Sequence, residues 1–155
     1  MLQRYGVPTM AIVLVMALGL GWFLRERSFA AEKAALLASK TVTLAELKFA
    51  DHVFEGKPRG DAALYMSGDT VGTRNFVVGQ FRLKPGEEPH PIHTHSEEEV
   101  LIVTTGKGEI SCDGKTTKVA PGSVMYTSPN APHGIKNTGA DVLTFYFVKW
   151  TGVSR

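Results

Sequence analysis

Pro85-Gly86-Glu87-Glu88-Pro89-His90-Pro91-Ile92-His93-Thr94-His95-Ser96-Glu97-Glu98-Glu99 is the stretch from which the rest of the chain can be read. Three of the five histidines fall within six residues here, beside a run of three glutamates. His93 and His95 are two residues apart. In extended backbone that spacing puts both rings on one face, roughly 6.6 Å apart along the chain. Two imidazoles on one face, with a carboxylate nearby, suit a divalent first-row metal: iron, manganese, nickel or zinc. Scattered surface histidines would not cluster in this way. Strand alternation from His95 favours Glu97 and Glu99 over Glu98. It does not choose between those two, because a turn after His95 resets the parity.

The segment resembles the first motif of the cupin family: a Gly, His-x-His, a Glu after three more residues and a Gly after a further six. Here those are Gly86, His93, His95, Glu99 and Gly106. Six residues separate Gly86 from His93, where the family usually has five; the ligand spacing is unaffected. Residues 122–137 resemble the second motif, with Gly122, His133 and Asn137 in place. Ser128 stands where the pattern has Pro, and Asn130 where it has Gly. The second departure is mild, since Asn tolerates positive φ better than most residues. The resemblance implies a metal held by His93, His95, Glu99 and His133, in an all-β cupin jelly roll, a double-sheet β-barrel. It also implies a homodimer.

The remaining strands are read from local patterns. Residues 74–83, containing NFVVGQFRL, are aromatic and β-branched and end at Pro85-Gly86. Glu99, Leu101 and Val103 share one face of the next strand, so a metal-side carboxylate gives way to apolar residues pointing inward. Asp113-Gly114 between residues 109–112 and 115–119 is a type I′ hairpin signal. Residues 124–127 and 134–136 are short strands, and 142–150 is a long final one. Residues 56–61 read as a loop, 63–66 as a short strand, and the stretch around Val42, Leu44 and Leu47 as a strand or a short helical turn.

Before the barrel, residues 7–24 form an almost uninterrupted apolar run. As a helix its eighteen residues would span about 27 Å, close to the hydrocarbon thickness of a bilayer. Residues 1–27 therefore read as a membrane anchor or signal peptide, 28–40 as a helical stalk, and 41–155 as the cupin domain. Ser28 and Ala30 suit a cleavage site before Ala31, but Arg25-Glu26-Arg27 intervenes and favours the anchor. An exported domain is the expected arrangement. Arg25, Arg27, Lys33 and Lys40 after the run argue for the cytoplasmic side instead. The formal net charge is +2, with basic residues scattered, so nucleic acid is not an expected partner. Cys112 is the only cysteine and forms no internal disulfide.

The expected activity is that of a small metal-dependent enzyme on a small organic molecule, with a dioxygenase ahead of an isomerase or lyase. The other class is a binding module for a sugar or organic acid. His90, Gln80 and Tyr126 are candidate pocket residues. His90 reads first as a solvated loop residue, Glu97 and Glu98 as a solvated turn, and Asn137 as a turn former.

Overall fold

The alternation of Glu99, Leu101 and Val103 is the key to the architecture. In the computed structural model, which describes residues 25 and 36–153, Leu101 and Val103 are buried while Ile102 between them faces outward. Among the described residues nine strands follow one another: β1 (Ala50–Phe54), β2 (Lys57–Gly68), β3 (Thr73–Leu83), β4 (Glu98–Thr105), β5 (Gly108–Cys112), β6 (Lys115–Val119), β7 (Val124–Thr127), β8 (His133–Lys136) and β9 (Leu143–Gly152). They form a six-stranded sheet in the order β1-β2-β3-β9-β4-β7 and a three-stranded sheet in the order β6-β5-β8. Every pairing is antiparallel. The expected all-β, double-sheet architecture is what the chain adopts.

The core lies between the sheets. Leu83, Leu101, Val103, Met125, Leu143 and Phe145 come from the larger sheet, and Ile110, Val119 and Ile135 from the smaller. Because successive residues alternate, β9 directs Leu143, Phe145, Phe147 and Lys149 to the same side. Register fixes their partners: Lys149 lies opposite Glu99, Phe147 opposite Leu101 and Phe145 opposite Val103. On the other flank Gly79 pairs with Phe147. A Cβ at position 79 would overlap the Phe147 ring, so the glycine makes room for that aromatic.

The Asp113-Gly114 hairpin forms as read, with φ of 49° and 79°. Two readings are corrected. Residues 57–61, taken as loop, belong to β2, whose turn is Glu55-Gly56, both at positive φ. β1 had no recognised signal. Leu44–Glu46 is a single 3-10 turn, the helical alternative of the two. The chain divides into two units, Met1–Leu36 and Leu37–Arg155, and all nine strands lie in the second. The apolar run of residues 7–24 lies outside the described residues, as does most of the expected stalk; its described end, residues 36–40, is not helical. Among the described residues no helix is long and apolar enough to cross a membrane.

Candidate metal centre

The site forms where the segment joining β3 to β4, both in the larger sheet, meets β8 of the smaller one. After β3 the His-rich segment is not a regular strand. His93 makes one isolated antiparallel bridge with His133 on β8. Its N–H donates to the His133 carbonyl at 3.1 Å, and the His133 N–H donates back at 3.0 Å. This clamp brings histidines forty positions apart in sequence to one point. Four residues beyond His95, Glu99 enters from β4, on the inward face that alternation assigned to it.

The three rings converge. Their centroids are 5.2 Å apart for His93 and His95, 4.7 Å for His93 and His133, and 4.8 Å for His95 and His133. Ligand atoms of all three lie within 4.8 Å of one another. Each Nδ1–H donates to a backbone carbonyl: His93 to His133 at 3.2 Å, His95 to Glu97 at 3.1 Å, and His133 to Ala131 at 2.9 Å. A carbonyl only accepts, so these bonds fix the tautomer and leave each lone pair on Nε2. Such outer hydrogen bonds are how metal-binding histidines are oriented.

Glu99 touches two of the three rings. Its Oε2 is 3.1 Å from His95 Nε2 and 2.8 Å from His133 Nε2. A neutral imidazole has one N–H for the two acceptors that flank it. A cation seated between Nε2 and the carboxylate supplies what the second acceptor lacks. Adjacent ligands on an octahedral ion with bonds of about 2.1 Å lie about 3.0 Å apart, which matches these separations. The donor set therefore fits a divalent metal. Burial holds His93 down at about 4, with neighbouring His90 and His133 disfavouring a second positive charge. It is neutral at pH 7, the form that ligates metal.

A cavity of about 160 Å³ opens onto this group. Its walls are Phe81, Leu101, Ile135, Phe145 and Phe147, with His52, Pro89, His90 and Lys149 at other points. His90 is half-buried, not a solvated loop residue; its ring lies 3.8 Å from that of His93, and burial lowers its pKa. Gln80 and Tyr126 do not line the cavity. Gln80 is buried on the opposite side of β3 from Phe81, between Ala63 and Tyr146 in the register. Tyr126 is 56% exposed and donates its hydroxyl to Glu98 at 2.9 Å. Glu97, expected to be solvated, has only 18% of its side chain exposed and sits 3.4 Å from His95 Nδ1.

Sequence reading missed His52 and Lys149. His52 comes from β1, its ring 5.0 Å from Phe81, and its Nε2–H donates to the Pro89 carbonyl at 3.1 Å. Only sheet pairing brings it there, so no local signal existed. Lys149 had one: it shares parity with Phe145 and Phe147 on a strand that was recognised.

Residues 79–149 match the family model described as Cupin domain. The chain is 28% identical over 86 residues to mannose-6-phosphate isomerase of Candida glabrata, covering 56% of this chain but only 20% of that protein. It is 28% identical over 94 residues to the oxalate-binding protein of Thermotoga maritima, covering 60% of this chain and 77% of that one. An RmlC-like cupin from Shewanella frigidimarina shares the fold at a TM-score of 0.56 and 16% identity, over 72% of this chain and 91% of that one. The domain match and the shared fold support the cupin family.

Proposed function

We propose that the cupin domain over residues 79–149 binds one divalent first-row metal through His93, His95, Glu99 and His133, and acts with it on a small organic molecule. The observation carrying this reading is the set of three imidazoles whose Nδ1 atoms are all committed to carbonyls. When bound, such an ion supplies a Lewis acid with positions open to substrate. The chain's own residues do the rest. The aromatic wall of Phe81, Phe145 and Phe147 keeps the cavity small and gives it an apolar side. His90 donates Nδ1–H to the Pro91 carbonyl at 3.1 Å, leaving its lone pair on Nε2. It is thus a neutral base on the cavity wall, able to take up a substrate proton.

Ligand identity alone does not separate dioxygenase from isomerase, lyase or binder. One relative's name specifies a sugar-phosphate isomerase and another's an oxalate binder. Both support non-oxidative handling of small, oxygen-rich molecules over the dioxygenase. The test uses the full-length chain purified without a metal-affinity tag. Wild type should carry about one equivalent of metal per chain, and the His93→Ala/His95→Ala double variant close to none; equal metal in both sinks the reading. Aerobic and anaerobic screens against sugar acids, sugar phosphates, β-diketones and catechols then divide the classes. Turnover without oxygen is expected. Oxygen uptake moves the assignment to a dioxygenase, and saturable binding without product to a binding module.

A further inference from the structure

Among the described residues, Lys149 is the only lysine or arginine on the wall of the metal-site cavity. It stands on β9 opposite Glu99, two residues beyond Phe147 and on the same side. Arg74 and Arg82 are paired with Asp69 and Asp61. Among the described residues, no ion pair or side-chain hydrogen bond engages the Lys149 ammonium. Glu99 is the only carboxylate among the described residues of the cavity wall, and its Oε2 is already directed at His95 and His133. A divalent ion and an ammonium set against one carboxylate leave the cavity positively charged. Apolar walls strengthen that field, because they exclude the water that would screen it. The volume of about 160 Å³ is below the range of pockets for drug-sized ligands and suits a molecule of a few heavy atoms.

We infer that Lys149 is a specificity-determining residue that selects a small carboxylate anion, with one end of the ligand facing the metal and the other facing the ammonium. This rests on the metal reading above. A charge-assisted hydrogen bond of this kind is worth roughly tenfold to a hundredfold in affinity. The bland alternative is that Lys149 merely balances Glu99 across the strand pair.

Calorimetric titration of oxalate, malonate and glucose into metal-loaded full-length protein separates the two, with metal content measured on every sample. Wild type is expected to bind a dianion and to ignore glucose. Lys149→Met should lose at least about tenfold in dianion affinity at unchanged metal content, and Lys149→Arg should recover part of it. Unchanged affinity in Lys149→Met overturns the inference, as does glucose bound as tightly as the dianions. Metal lost from Lys149→Met also overturns it, in favour of the charge-balancing role. Wild type without metal overturns the underlying reading, and this inference with it.

Discussion

At the scale of single residues, backbone hydrogen bonding does as much for the site as ligand chemistry. His133 uses its N–H, its carbonyl and its Nδ1 to hold neighbouring segments, and only Nε2 is left for a ligand. Asn137 plays the supporting part nearby. It is fully buried, and its Nδ2 donates to the carbonyls of Leu83 and Asp141, both at 2.8 Å. Its Oδ1 accepts the Gly139 N–H at 2.9 Å. The side chain thus ties the end of β3 to the β8–β9 turn, the turn-forming role read from its place in the second motif. Asn137→Ala removes three bonds and strands backbone groups away from water. We expect a loss of about 2–4 kcal/mol in chemical denaturation; a loss under about 1 kcal/mol would show that water replaces the amide.

At the scale of elements, two motif-like turns carry glycines for different reasons, and substitution should tell them apart. Gly114 has φ of +79°, and a Cβ there would meet nothing within 4 Å. Gly106 has φ of +75°, and a Cβ there would lie 2.5 Å from the Val142 carbonyl oxygen and 2.7 Å from Leu143 Cα. Gly114→Ala carries only the left-handed backbone penalty, about 1 kcal/mol. Gly106→Ala adds overpacking against backbone that cannot rotate away, for about 2–4 kcal/mol in all. Equal denaturation midpoints for the two variants would contradict this division. The same contrast explains which elements were legible. The β5–β6 hairpin is encoded by adjacent residues, so Asp113-Gly114 announced it. β1 and the start of β2 also form a local hairpin, around Glu55-Gly56, but Lys57-Pro58-Arg59-Gly60 carries the composition of a loop and masks the strand. Gln80 and Tyr126 were placed on the correct strands, but a strand offers two faces and local pattern did not decide between them. His93 and His95 escaped that ambiguity through their spacing and His133 through the family resemblance, and the β8 clamp gathers the three rings into a group that could hold a metal ion.

At the scale of the whole molecule, the barrel and the N-terminal segment pose separate questions. Residues 41–155 contain every described strand and, among the described residues, every member of the hydrophobic core cluster. Among the described residues, starting the chain at Thr41 removes one backbone hydrogen bond, the Leu37 N–H donated to the Asp69 carbonyl at 2.7 Å, and the Leu37 side chain beside Gly68. One such bond is worth about 1 kcal/mol, which lowers the melting temperature of a domain this size by about 4 °C. The truncated chain should therefore show β-type circular dichroism and a cooperative melt. An unfolded truncation would mean that earlier residues complete the core. Membrane attachment through residues 1–27 is a proposal that rests on the apolar run of residues 7–24 and on the charges that close it. On that proposal the full-length chain sediments with membranes and resists alkaline washing, while the chain starting at Thr41 stays soluble. An uncleaved full-length chain in the soluble fraction sinks the anchor, and an exported chain whose first residue is Ala31 replaces it with a signal peptide. Protease added to intact cells then decides orientation: digestion of the barrel places the metal site outside, where exported substrates reach it, and protection sets it on the side that the four following basic residues favour.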